Sequence, residues 1–157
     1  MSDPDSPLLP PATPTIRRLR LIVLACVALI AAAAIVGFLL HRHQVDRART
    51  IRAQIAQGIA TADGLRVAVA TYRARNGGAW PYNNAQAGLL SLSAVNGKYV
   101  ENTHIESGRI IITLGGDVAG AVRGKHIVLM PYLAGSLVLW HCGSDDIPKD
   151  LLPDGCR

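Results

Sequence analysis

The stretch LIVLACVALIAAAAIVGFLL (residues 21–40) decides the fold, because its twenty residues carry no charge and no proline. As an α-helix, twenty residues span about 30 Å, the thickness of a bilayer's hydrocarbon core. Two alternatives are a cleaved signal peptide ending in the alanine run 31–34 and a lipoprotein site at Cys26. The run is longer than a signal-peptide core, and few apolar residues precede Cys26, so an uncleaved single span fits best. We therefore predict a transmembrane anchor at residues 17–43.

The segment before this anchor, residues 1–16, is rich in proline, serine and aspartate. Such a composition predicts a disordered tail. Arginines flank the anchor on both sides, so the positive-inside rule does not orient it. If Cys142 and Cys156 are bonded, the C-terminal part lies in an oxidising compartment. The tail would then be cytoplasmic and residues 44–157 would form an extracytoplasmic domain.

After the anchor, apolar residues recur with the 3.6-residue period of an amphipathic helix. We expect this helix to continue without a break through Tyr72 and to end at Asn76-Gly77-Gly78. Gly58 and Gly64 mark either flexure or the close approach of another backbone. The periodic positions are Val45, Ala48, Ile51, Ile55, Ile59, Ala62, Leu65, Val69 and Tyr72.

Strand signals occupy the second half of the chain. Residues 99–104, 109–114, 125–132 and 136–142 are rich in β-branched and aromatic residues and are separated by glycine-containing turns. They predict three to four antiparallel strands, with one sheet face available to the amphipathic helix. The predicted class is α+β, in which a long N-terminal helix, half transmembrane and half amphipathic, packs on this sheet.

Positive charge is concentrated just after the anchor. Residues 41–75 hold seven arginines against two aspartates, whereas residues 76–157 carry a net charge of −1. An arginine-rich helix face beside a membrane suits anionic lipid head groups, and DNA is a second candidate ligand. The candidate contact residues are Arg42, Arg47, Arg49 and Arg52.

No constellation of catalytic residues can be argued from the sequence. The five histidines are scattered, and no Cys/His spacing typical of zinc occurs. We predict no enzymatic activity, no metal site and no cofactor. The last fifteen residues lack periodicity, and a Cys142–Cys156 bond, if formed, would stabilise them by about 3 kcal/mol.

Four segments in this order resemble the type IV pilins of Gram-negative bacteria, a resemblance that covers about residues 50–157. The closing Trp-Xaa-Cys and Cys-Arg elements make it specific. The segments are GLRVAVATYRARNGGAWPYNNAQAGL (64–89), GKYVENTHIESGRIIITL (97–114), GKHIVLMPY (124–132) and LVLWHCGSDDIPKDLLPDGCR (137–157).

The resemblance implies a ladle-shaped subunit, single-pass in the inner membrane with a periplasmic head, and on a surface pilus once polymerised. It implies a structural role in fibre assembly, adhesion or motility, with membrane lipid and other pilin subunits or pilus assembly proteins as partners. A DNA-binding module for DNA uptake is the alternative. It also implies that Cys142 and Cys156 bound an exposed recognition loop, whose candidate residues are Gly143, Ser144, Asp145, Asp146, Lys149 and Asp150.

The chain departs from the family at the start of the apolar run. Pilin precursors carry a glycine before this run, where prepilin peptidase cuts, and a glutamate at its beginning. Here the first glycine is Gly37, and residues 16–26 (IRRLRLIVLAC) contain no glutamate. The resemblance therefore implies a pilin-like protein that lacks the prepilin peptidase motif.

Overall fold

The computed structural model describes residues 14–89 and 97–157, in a chain that divides into two compact units, Met1–Gln44 and Val45–Arg157. Helix α1 runs Pro14–Ala60. It begins three residues before the predicted anchor, so the end of the predicted tail is helical, and residues 1–13 lie outside the described part. Proline suits the first turn of a helix, because the N–H that it lacks would have no partner there.

In the first unit, every described side chain from Arg17 to Gln44 is exposed. Leu29 and Ile30, for example, each leave about 70% of their surface uncovered (71% and 70%). The helix is long and apolar enough to cross a membrane. A helix that is apolar on all sides and has no protein covering it is typical of a membrane span.

The second unit contains a four-stranded antiparallel sheet in the order β1-β2-β3-β4. The predicted α+β class, with a long helix on an antiparallel sheet, is confirmed. The first and last residues of each predicted strand differ from the observed ones by at most two positions. The strands are β1 Val100–Glu106, β2 Arg109–Leu114, β3 His126–Ala134 and β4 Leu137–Gly143.

The prediction of one unbroken helix through Tyr72 is wrong, because the helix is interrupted after Ala60. A second helix, α2, runs Asp63–Arg75. The Thr61 backbone N–H and the Thr61 hydroxyl both donate to the Gly58 carbonyl, at 3.2 and 2.6 Å, and the Ala62 N–H donates to Ile59. These bonds to the third preceding residue tighten the last turn and end α1.

The core lies between the helices and one face of the sheet. Gly58 contributes by its lack of a side chain, since a Cβ there would lie 3.1 Å from Val100 Cγ2 and 3.4 Å from Leu114 Cδ2. Of the two readings of Gly58, close approach is therefore the observed one. The fully buried residues of this core include Ile55, Val69, Ile110, Ile112, Leu114, Ile127 and Leu129.

The region after α2 covers the outer edge of β1. Pro81 and Tyr82 accept backbone hydrogen bonds from Gly108 and Ser107, at 2.8 and 3.0 Å, while Asn84 Oδ1 accepts one from the Ile105 N–H at 2.6 Å. Trp80 packs on Gly108 and is partly buried against the core. The leucines at 89, 90 and 92 suit a short helical turn or packing beneath the sheet, but Leu90 and Leu92 lie outside the described residues.

Candidate functional site

The C-terminal loop is closed by a disulfide bond between Cys142 in β4 and Cys156 in the 3₁₀ turn Asp154–Cys156. Both cysteines are buried, and they lie 14 positions apart. Ile147 and Leu152, between them, are also buried. The loop is therefore held by one covalent bond and by two apolar side chains that reach the core.

The residues predicted to form the recognition loop divide into two groups. Asp145, Asp146, Lys149 and Asp150 are exposed, whereas Gly143 and Ser144 are half-buried. Lys149 begins the 3₁₀ turn Lys149–Leu151, so the backbone folds tightly around the buried Leu152. These four side chains thus reach the surface, and their role in recognition stays a prediction.

Asp146 fastens the beginning of this loop to the beginning of β3. Its carboxylate accepts the His126 backbone N–H, with distances of 3.1 and 3.2 Å to its two oxygens, and lies 3.1 Å from His126 Nδ1. Ser144 Oγ lies 2.8 Å from the same carboxylate and 2.6 Å from the His126 carbonyl, and it accepts the Ile147 N–H.

The pKa of Asp146 reflects these contacts. Partial burial raises the pKa, but the hydrogen bonds from Ser144 and His126, together with the positive charge that His126 can carry, outweigh burial. The net result is a pKa below the ordinary aspartate value, because hydrogen bonds to a carboxylate favour its charged form. Within the predicted loop, the ionised Asp146 carboxylate therefore holds the loop to the first residue of β3.

Helix α1 also contacts this loop. Arg52 Nε donates to the Asp150 carbonyl at 2.8 Å, across 98 positions of sequence. Gln54, two residues on, accepts the Ala119 N–H at 3.0 Å. Arg52, which the sequence predicts to contact lipid or DNA, therefore holds part of the C-terminal loop against the helix.

The other three predicted contact arginines are exposed. Arg42, in the first unit, lies over the Phe38 ring, with 5.6 Å between its Cζ and the ring centroid. Arg49, in the second unit, lies 3.9 Å from Asp46, and both side chains are well exposed. Exposed pairs of this kind contribute little to stability, so Arg49 can exchange its partner.

Sequence reasoning missed several residues that line a cavity of about 360 Å³ beside the loop. The missed cations are Arg109 and Arg157, each in an exposed ion pair, with Glu106 and Asp154 respectively at 3.1 Å. Met130 and His141 line the same cavity. Side chains alternate between the two faces along β2 and β3, so Arg109 and Met130 lie on the face opposite the core. This alternation in the sequence could have indicated their position.

Within residues 14–89 and 97–157, no group of three or more His, Cys, Asp or Glu side chains is arranged to hold a metal ion. His141 lines the cavity beside the loop, while the ring of His126 contacts Asp146. The described surface displays exposed charged side chains on a covalently closed loop.

Known proteins similar to this chain are filament proteins. Residues 51–157 match the family model for pilin, a bacterial filament protein. The fimbrial protein of Neisseria meningitidis serogroup A / serotype 4A (strain DSM 15465 / Z2491) is 30% identical over 147 residues, which cover 86% of this chain and 81% of that protein. The type IV major pilin protein PilE of Neisseria gonorrhoeae is 33% identical over 124 residues, with 78% and 69% covered.

Proposed function

This chain belongs to the type IV pilin family, and from that premise we propose that it is a membrane-anchored structural subunit or accessory protein of a pilus system. Its work would be fibre assembly, cell adhesion or motility. The observation that carries the proposal is the family match over residues 51–157, in a chain whose preceding helical segment is apolar and long enough for a membrane. Family members are structural proteins, and this role requires surfaces rather than a catalytic centre.

The proposed location is the inner membrane, with the C-terminal domain in the periplasm and, after polymerisation, on the cell surface. The Cys142–Cys156 bond supports this orientation, because disulfides persist in oxidising compartments. The exposed charges of the C-terminal loop would then face outward partners or neighbouring subunits. The orientation can be tested by treating whole spheroplasts that carry an Asp145→Cys variant with a cysteine-reactive reagent that does not cross membranes. Labelling only after the membrane is permeabilised would place the loop in the cytoplasm and contradict the proposal.

Membership of the filament can be tested directly. We expect mass spectrometry of sheared, purified surface filaments to detect peptides from residues 51–157. An unrelated single-pass inner-membrane protein serves as the control for membrane contamination. The chain's presence in the membrane fraction alone, combined with unchanged filament number after its gene is deleted, would contradict both the subunit and the accessory versions. The mature N-terminal residue, read from the same sample, shows whether residues before the apolar run are removed.

Lipid head groups are the partner that we propose for the arginine-rich helix face. Arg42, Arg47 and Arg49 are exposed near the end of the apolar segment, where anionic head groups attract basic side chains. With the full chain reconstituted in vesicles, we expect photo-cross-linking of anionic head groups to the chain to fall when all three arginines are replaced by glutamine. Unchanged cross-linking by this variant would contradict the proposal.

DNA binding through the same arginines is the second candidate function. The net charge of +5 over residues 41–75 is the observation that favours it. The full chain in detergent should then shift a DNA fragment, with an affinity that falls steeply as salt rises. An affinity that does not change with salt concentration, or that is unchanged when Arg47 and Arg49 are replaced by glutamine, would exclude this mode of binding.

A further inference from the structure

The hairpin formed by β3 and β4 projects beyond the rest of the sheet. Pairing of β2 with β3 ends at Ile110 opposite Leu129, whereas β3 and β4 stay paired to Ala134 opposite Leu137. We call residues 130–134 and 137–141 the apolar arm. It is a two-stranded ribbon, and such a ribbon has little stability in water unless it packs against something.

The arm exposes large apolar side chains. Leu137 leaves 65% of its surface uncovered, and Tyr132 and Leu133 leave 49% and 48%. Met130 and Leu139 are also exposed, at 40% and 39%. By the register of β3 and β4, Met130, Tyr132, Leu137 and Leu139 share one face of the hairpin, whereas Leu133 lies on the face of Trp140, which packs against the core. Single exposed apolar residues are ordinary, but four on one face of a hairpin mark an interaction site.

The arm also lacks charge. Between Lys125 and Asp145, nineteen successive residues contain no Asp, Glu, Lys or Arg. A charged partner would therefore lose its hydration without finding a counter-charge on the arm. The partner surface that suits this arm is itself apolar and uncharged.

β4 is an open edge of the sheet. It is the last strand in the order β1-β2-β3-β4, and among the described residues its backbone makes no hydrogen bond outside its ladder with β3. Proteins commonly protect such edges with proline or charged residues, and β4 (LVLWHCG) contains neither. Its last residues are also constrained by the bond from Cys142 to Cys156.

We propose that the apolar arm is a self-association surface, on which β4 of one copy pairs antiparallel with β4 of a second copy. A strand that pairs with its own copy about a two-fold axis needs a surface complementary to itself. Charged strands would place like charges opposite each other, a penalty that uncharged β4 avoids. The pairing satisfies the open edge of both copies and brings the exposed Leu137 and Leu139 side chains of each next to the other copy.

Cysteine cross-linking of the full chain in native membranes tests this pairing. Leu139 lies at the centre of the arm's β4 residues, so Leu139→Cys in a Cys26→Ser background should give a covalent dimer on mild oxidation. The matched control is Val67→Cys on α2, since Val67 is 67% exposed but lies outside the arm. A dimer from Val67→Cys in equal yield, or none from Leu139→Cys, would overturn the proposal.

Charge placed on the arm gives a second, independent measurement. We expect Leu139→Lys to lower the dimer fraction of the detergent-solubilised chain at least tenfold, while Val67→Lys leaves it unchanged. Formation of the Cys142–Cys156 bond and the thermal transition report whether each variant is folded. Retention of the dimer by folded Leu139→Lys would overturn the proposal. Both assays use chains in membranes or detergent and do not require a filament. The β4 pairing can therefore be disproved while the pilus-subunit proposal stands, and the subunit proposal can be disproved while the pairing stands.

Discussion

The two edges of the sheet are managed in opposite ways. The end of β1 and the turn that follows it are covered by the region after α2. There Asn84, Tyr82 and Pro81 accept hydrogen bonds from the backbone N–H groups of Ile105, Ser107 and Gly108. Among residues 14–89 and 97–157, none bonds to the edge of β4 in this way, and the disulfide and the loop that follows fasten the end of the strand. The difference indicates that this domain covers the β1 edge of its sheet with its own chain, whereas the β4 edge is available to the partner proposed above.

The largest effect should come from Gly108, in the covered turn between β1 and β2. Its φ of +82° suits glycine, and a Cβ there would lie 2.9 Å from the Trp80 Cβ. We expect Gly108→Val to lower the free energy of unfolding of the second unit by about 4 kcal/mol, from backbone strain and overpacking together. Denaturant titration followed by tryptophan fluorescence measures this.

Gly143 is the matched control at the open edge. It lies at the end of β4, and a Cβ there would meet no atom within 4 Å. Gly143→Val should therefore change the free energy of unfolding little. Equal destabilisation by the two substitutions would remove the proposed asymmetry between the edges.

Removal of the disulfide tests what holds the β4 side. With Cys142 and Cys156 both replaced by serine, the free energy of unfolding should fall by about 3 kcal/mol. Amide hydrogen exchange should rise in β4 and in the C-terminal loop while β1 keeps its protection. Cys26→Ser, which removes the free and exposed thiol, serves as the control. Equal loss of protection in both strands would show that the edges are not fastened separately.

A smaller effect is expected from Asn84. Its side chain accepts the Ile105 N–H, so Asn84→Leu leaves that group without its partner and should cost about 1–2 kcal/mol. Asn102→Leu is the control, because Asn102 is an exposed asparagine of β1 whose side chain accepts no such bond among the described residues. Hydrogen exchange at the Ile105 amide measures the effect at a single atom. Unchanged exchange there would show that the β1 edge does not depend on this cover.

The smallest effect concerns acid. Because the pKa of Asp146 is lower in the folded chain, its contribution to stability is present above the unfolded value of about 4. The contribution decreases as the pH falls below that value and is lost once the pH passes the folded pKa. The protection factor of the His126 amide, its exchange rate relative to an unstructured peptide at the same pH, should therefore fall in this acid range, and Asp146→Asn should abolish that fall. Asp145→Asn, at the exposed neighbour, should leave it intact.

Local patterns in the sequence predicted most of the fold. The run RIIITL gave β2 at its observed bounds, and the glycine-containing turns separated the remaining strands. The interruption after Ala60 was missed, because it depends on the Thr61 hydroxyl bonding Gly58, which helical periodicity does not represent. Such periodicity records which face is apolar and not whether every turn is continuous.

Contacts between distant segments could not be predicted in the same way. The bond from Arg52 to the Asp150 carbonyl joins a helix to a loop 98 positions away, and the charge pattern assigned Arg52 to lipid or DNA. Likewise, the apolar arm depends on β3 continuing past the start of β2, which requires the strand register. The disulfide, in contrast, could be anticipated from the sequence, because two cysteines flank a short terminal segment.

The Arg52–Asp150 contact has a mechanical consequence. A tensile load applied along α1 reaches the C-terminal loop through this hydrogen bond, and the loop is a covalent ring closed by Cys142 and Cys156. The ring cannot be extended by more than its slack unless the sulfur–sulfur bond breaks, so force passes from the loop into β4 rather than unravelling the terminus. Reductant should therefore weaken the domain under force more than it does at rest.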